Sequence, residues 1–123
     1  MDIANEKIFL MIITKDDIYN ITKENTKINY EKLTLILKDF LNSINLKLED
    51  IQKIYVNRGP GSFAGIRNSL SIVKAINVAR NIDYYCYSLE DFKDQKDVKY
   101  EDIPNLCDKF KIKKNLIKPI YLS

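Results

Sequence analysis

A chain of 123 residues that is 46% apolar and 30% charged has the make-up of one folded domain with its own core, not of a disordered segment. Its 20 basic and 17 acidic residues leave a net charge of +3, too small by itself to point to nucleic acid. There is no histidine, which removes an imidazole base, a Ser-His or Cys-His couple and a histidine metal ligand from the chain's repertoire.

The first predicted element is a strand, Lys7 to Thr14, whose nearly continuous apolar run suits a strand covered on both faces. Lys15-Asp16 reads as a turn and residues 17–22 as a second, half-polar strand, giving a β-hairpin. Lys23 to Lys27 reads as a loop. Asn29 is placed to cap a helix running from Tyr30 to about Ile44, with Leu33, Ile36, Leu37, Phe40, Leu41 and Ile44 in one stripe. Leu35 lies almost opposite that stripe, either as an ordinary exposed leucine or as a partner contact.

After a polar connector over residues 45–50, Lys53 to Asn57 is the next strand, and Ile66 to Ile82 carries helical apolar spacing. Ile66, Leu70, Val73 and Ile76 form one stripe of that helix, and Ile72, Ala75, Ala79 and Ile82 widen it. A helix lying on a sheet needs an apolar arc of only about 100°. The excess predicts a second surface, covered by a neighbouring helix or by a partner. Asp83 to Tyr87 reads as a buried strand, and Ser88-Leu89-Glu90-Asp91 as a helix cap. Residues 93–100 read as a linker, Ile103 to Ile112 as a short helix, and Ile117 to Leu122 as an extended tail kept from a central strand position by Pro119. The order fits an α/β layer with helices on a mixed sheet.

Cys86 and Cys107 lack metal or redox spacing and read as reduced, small apolar residues. Neither a membrane span nor a signal peptide is read from the sequence, so a cytoplasmic location is expected. Lys109, Lys111, Lys113, Lys114 and Lys118 read first as a solvated face and second as a surface that tracks phosphates.

The chain's three glycines, Gly59, Gly61 and Gly65, all fall within N-R-G-P-G-S-F-A-G, at a strand-to-helix junction. Such a junction suits an anion, because helix N-terminal N–H groups point outward there. The spacing is neither a Walker loop nor a dinucleotide fingerprint, and Pro60 removes a donor. A nucleotide- or anion-binding protein using Ser62, Arg67 and the first-turn amides is therefore the alternative function. A peptidase is the weakest reading, since Ser62 has no visible base.

G-P-G-S-F-A-G-I-R, followed by Leu70 and Lys74, resembles the motif G-P-G-S-F-T-G-[LI]-R of the TsaB (YeaZ) family, with Ala64 in place of threonine. S-L-E-D-F and the late K-P-I-Y-L also resemble segments of that family. The resemblance implies an actin/Hsp70-like (ribonuclease H-like) half-domain over residues 1–92, with 93–123 a remnant of a second domain. Gly59, Pro60, Gly61, Ser62, Phe63, Gly65 and Arg67 would form its motif loop. The resemblance further implies a subunit without catalysis, cofactor or metal of its own. Its partner would be a TsaD-like enzyme holding its metal on histidines, with a TsaE-like ATPase, in tRNA N6-threonylcarbamoyladenosine biosynthesis, and direct tRNA contact through the C-terminal lysines is left open. Leu35, Ile72, Ala75, Ile76 and Ala79 are the expected partner contacts, and the same helices could form a homodimer. The family opens with a strand of the type I-L-A-I-D-T-S at the sheet centre, of which Met1-Asp2-Ile3-Ala4 remains here. Residues upstream or another segment should then fill that place. Ser69 and Val73 stand where the family prefers smaller residues, which would alter close helix approach.

Overall fold

The structure, a computed structural model, describes residues 1–5, 7–93 and 95–122. Strands β1 (Lys7–Ile13) and β2 (Ile18–Glu24) form the predicted antiparallel hairpin, with Ile13 opposite Ile18. Thr14 and Asp17 close the turn: the Thr14 amide donates to the Asp17 carbonyl at 2.8 Å, and the Asp17 amide donates to Thr14 Oγ1 at 3.0 Å. Strand β2 runs two residues beyond its predicted end and takes in Lys23 and Glu24, where a loop was expected. The Lys7 ammonium pairs with the Glu24 carboxylate at its far end.

The following helix begins earlier than its apolar stripe suggests. Thr26, not Asn29, is its cap, accepting from the Asn29 amide at 3.1 Å. It is also divided at Lys32 into α1 (Lys27–Glu31) and α2 (Leu33–Ser43). Leu33, Phe40 and Leu41 of α2 bury themselves against Ile8, Leu10 and Ile12 of β1.

Strand β3 (Lys53–Asn57) pairs in parallel with β5 (Asp83–Tyr87), and both have the predicted bounds. Between them run the two-residue strand β4 (Gly61–Ser62) and helix α3 (Phe63–Arg80). That helix starts three residues before its periodic region because Ser62 caps it, accepting from the Gly65 amide at 3.3 Å. It ends on Asn81, whose amide makes a last helical bond to the Asn77 carbonyl at 2.9 Å and whose left-handed backbone (φ 57°) then turns the chain away.

Met1–Ala4 joins the two ladders. Asp2 exchanges backbone hydrogen bonds with Phe9 at 2.9 and 3.0 Å, antiparallel to β1. The Met1 amino group donates to the Tyr55 carbonyl at 2.8 Å, and the Asn57 amide to the Met1 carbonyl at 3.0 Å, parallel to β3. The lateral order is therefore β2, β1, residues 1–4, β3, β5. The central place that the sequence left open is partly filled by the chain's first four residues.

One face of this sheet carries α2 and α3. Val56, Tyr84 and Cys86 pack on Ile66, Leu70 and Val73 of α3, and Ile72 reaches the cluster that α2 shares with β1. The other face carries the C-terminal part of the chain. There Tyr87 and Phe92 pack with Ile103 and Cys107 of the short helix α4 (Ile103–Lys109), which stops three residues before its expected end. Ser88-Leu89-Glu90-Asp91 caps a single 3-10 turn instead of a helix. Asp94 and Ser123 of the expected linker and tail lie outside the described residues. Tyr121–Leu122 forms β6, parallel to β4. No helix among the described residues is long and apolar enough to cross a membrane.

Candidate functional site

The glycine-bearing loop is held by backbone contact. Gly59 has φ +111°, where a side chain is strained, and a Cβ there would overlap the Ile120 carbonyl oxygen. A Cβ on Gly61 would run into Ala4, and one on Gly65 into the Ile3 carbonyl oxygen. The Ser62 amide donates to the Ala4 carbonyl at 2.9 Å. The N-terminal strand thus lies directly on the loop and on the first turn of α3. The space in which an anion would approach the Ser62 amide and Gly65 is occupied by Ile3 and Ala4, and Ser62 Oγ is already engaged by Gly65.

Arg58, Asp91 and Asn57, to which sequence reasoning gave no part in holding the loop, fix it in place. Arg58 Nη2 and Nε reach the Asp91 carboxylate at 2.6 and 3.4 Å, and Nη1 donates to the Lys118 carbonyl at 3.0 Å. Asp91 Oδ2 also accepts from the Ser88 amide at 2.8 Å, so S-L-E-D serves as a clasp on the motif. Asn57 Oδ1 accepts from the Gly59 amide at 2.9 Å, while its Nδ2 donates to Asp2 at 3.2 Å.

Asp2 is 5% exposed and accepts from three donors: the Ala4 amide at 3.1 Å, Asn57 Nδ2, and the Tyr100 hydroxyl at 2.7 Å. Burial, and then the hydrogen bond to Asp2 and its charge, hold the Tyr100 phenol well above its ordinary range. An Asp2→Ala chain would leave Asn57 and Tyr100 without their acceptor. Its expected loss is about 2–3 kcal/mol of folding stability, read by urea denaturation against an unchanged Glu101→Ala control. An equal midpoint for both would contradict the role given to this carboxylate.

Phe63 and Arg67 face outward instead of into a cradle. Phe63 leans on Tyr121 with ring centroids 4.7 Å apart, and the Arg67 guanidinium lies 5.8 Å from the Phe63 centroid. Pro60 joins Gly59 through a cis peptide bond. The cysteines are packing groups: burial pushes both the Cys86 and Cys107 thiols up to about 12, where almost no thiolate forms at neutral pH.

The expected partner contacts divide. Leu35 on α2 is 51% exposed, Ala75 and Ala79 on α3 are exposed, and Ile72 is half-buried. Ile76 leaves this set, because it is 8% exposed and lies within the chain's own core. Ser69 and Val73 are fully buried too, so their size bears on packing against the sheet, not on a partner's approach. At 100° per residue, Ile72, Ala75 and Ala79 fall within about 60° of one another, beside the buried arc. Val78, 75% exposed, extends the strip outward.

A family model described as TsaD, tRNA N6-adenosine threonylcarbamoyltransferase, matches residues 24–88, more than half of the chain. The chain belongs to this family. The match includes the motif loop, α3 and β5. Two curated relatives, each named tRNA threonylcarbamoyladenosine biosynthesis protein TsaB, come from subspecies of Buchnera aphidicola. The Baizongia pistaciae relative is 28% identical over 75 residues, covering 61% of this chain and 34% of the relative. The Schizaphis graminum relative is 24% identical over 85 residues, covering 69% and 40%. The chain therefore spans little more than a third of the TsaB proteins it matches. Among solved structures, YeaZ from Pseudomonas aeruginosa superposes with a TM-score of 0.65 at 20% identity, over 71% of this chain and 41% of that one. A second structure, titled as an uncharacterized protein with similarity to peptidase YeaZ from the same organism, gives the same TM-score and identity over 71% and 40%. This is a TsaB/YeaZ-type member of the family with the fold of an actin/Hsp70-like half-domain.

Proposed function

We propose that this TsaB-type chain is a non-catalytic subunit that binds and supports a TsaD-like enzyme in tRNA threonylcarbamoyladenosine biosynthesis, with a TsaE-like ATPase as a further component. The observation that carries this reading is the apolar strip on α3. Ile72, Ala75 and Ala79 remain accessible after the chain has built its core, whereas Ser62 Oγ and the Gly59, Ser62 and Gly65 amides of the glycine loop are engaged internally. Covering an aliphatic side chain as large as Ile72 or Leu35 contributes roughly 1.5–3 kcal/mol in transfer terms, before association costs are subtracted. The alanines add little area but let a partner helix come close. This placement supports a helix-against-helix contact more than a small-molecule site.

Mixing the folded chain with its cognate TsaD-like enzyme is expected to give a single co-eluting species in size-exclusion chromatography. Deleting the gene should lower threonylcarbamoyladenosine in cellular tRNA. Separate elution of two folded proteins would count against the reading. Sedimentation of the chain alone addresses the homodimer that the same helices could form.

A further inference from the structure

Strand β2 is the outer strand on the hairpin side of the sheet, and the bonds of β1 reveal which of its groups are free. The Phe9 amide and carbonyl go to Asp2, so they do not bond Thr22 opposite, and the Thr14 amide donates to the Asp17 carbonyl. Bonded positions alternate along an antiparallel pair, so Asp17, Tyr19, Ile21 and Lys23 bond toward β1. Ile18, Asn20 and Thr22 therefore turn their amides and carbonyls outward, where none has a partner among the described residues. The opposite edge is covered. There the Asn115 amide donates to the Tyr84 carbonyl of β5 at 2.7 Å, and Asn115 Oδ1 accepts from the Tyr84 amide at 3.0 Å. Met1 lies on the other side of β1 and Tyr121 beside β4, so the open edge belongs to an interior hairpin. An edge is usually guarded by charges, proline or a bulge along it. Ile18–Thr22 has neither charge nor proline, and β2 matches β1 residue for residue.

We infer that this edge joins the same edge of a second copy of the chain, as an antiparallel pair of β2 strands about a two-fold axis at Asn20. The sequence around Asn20 is self-complementary. In this register Ile18 faces the second copy's Thr22, Tyr19 faces its Ile21, and Asp17 faces its Lys23. The outward positions then exchange about six main-chain hydrogen bonds. Asp17 and Lys23 are exposed, and neither has an ion-pair partner among the described residues. Across the axis they form two symmetric pairs of opposite charge, one at each end of the contact. Tyr19 and Ile21 are half-buried against the cluster under α2, so pairing them carries that apolar layer from one copy into the other. Neighbouring registers lose these matches. A shift of two residues sets Tyr19 against Tyr19 and Asp17 against Ile21, or, the other way, Ile18 against Glu24 and Tyr19 against Lys23. A shift of one opposes outward groups to inward ones. The contact is isologous and closes on itself, so it yields dimers and not fibres. It leaves the strip on α3 uncovered, because that helix lies over β3 and β5.

One strand pair buries less than the roughly 1,200 Å² of a standard interface, so dimers are expected only at micromolar concentrations and above. Sedimentation velocity of the folded 123-residue chain, from about 5 to 500 µM, should show a monomer–dimer equilibrium. Across the same range, hydrogen exchange should slow about threefold or more at the Ile18, Asn20 and Thr22 amides, and less at Tyr19 and Ile21, which already bond β1. Asn20→Pro removes an outward amide, which an edge strand tolerates, and should leave a folded monomer. Lys23→Glu should weaken dimerisation about fivefold or more, and adding Asp17→Lys should restore it to within about twofold. A chain still monomeric at about 500 µM overturns the inference. So does a dimer whose three outward amides exchange as in the monomer, or a charge reversal that brings no recovery.

Discussion

Replacing Gly65 with valine is expected to lower folding stability by roughly 3 kcal/mol or more, enough to move the thermal midpoint by about 10 °C or to prevent folding. Two effects oppose each other at this position. Inside a helix, any residue with a Cβ gains over glycine, by nearly 1 kcal/mol for alanine. Against that, the new Cβ would occupy the place of the Ile3 carbonyl oxygen, a backbone atom that cannot rotate away. Ile3 is held on both sides, by Asp2 on Phe9 and by the Ser62 amide on Ala4, so relieving the overlap breaks sheet hydrogen bonds. The steric effect wins. Gly65→Ala should therefore destabilise the chain as well, against its helix propensity. Ser71→Ala, on the exposed side of the same helix, should stay within about 0.5 kcal/mol of the parent. Denaturation of these three variants measures the order, and a stabilised Gly65→Ala would show that Ile3 does not lie on the helix.

Joint substitution of Ala75 and Ala79 by arginine is expected to weaken the proposed association with a TsaD-like enzyme about 100-fold or more, while leaving the isolated chain folded. Both positions are exposed on α3, and arginine is a good helix former, so the free chain should change by less than about 1 kcal/mol. In the complex, two guanidinium groups would stand where a partner helix has to approach, displacing it or losing their water unpaired. Titration calorimetry gives the affinity, and circular dichroism the integrity of the fold. Ile76→Ala provides the contrast. That residue lies in the core, so its substitution should reduce stability by about 2–5 kcal/mol and affect association only through folding. Undiminished binding by the double arginine variant would move the contact elsewhere on the chain.

Much of the sheet was legible in the sequence because β1, β3 and β5 carry local signals. β-branched and aromatic residues marked Lys53–Asn57, and a buried, aromatic-rich run marked Asp83–Tyr87, both with the bounds the structure gives. Helix starts were less legible. Thr26 and Ser62 cap before the apolar pattern begins, and a cap depends on a single side-chain geometry, not on periodicity. The width of the apolar arc on α3 announced two surfaces, but periodicity could not say which residues served which. Ile76 turned inward, and Ala75 and Ala79 outward. The least legible features are those joining distant residues. The Arg58–Asp91 ion pair spans 33 positions and the Tyr100–Asp2 hydrogen bond spans 98, and no local pattern encodes either. The glycines were noticed for their freedom at a junction. Their reason is the closeness of Ile3, Ala4 and Ile120, which only the assembled sheet shows.

The hydrogen bond from Tyr100 to Asp2 also has a kinetic consequence. During synthesis Met1–Ala4 leaves the ribosome well before the phenol that closes over it, which is made about a hundred residues later. Until then the hairpin can pair and α3 can form, while Met1–Ala4 has no lid on its second face. Such long-range closure slows folding relative to a helical bundle of equal length. Until Tyr100 has been made, Met1–Ala4 is thus open to chaperones and proteases on that face.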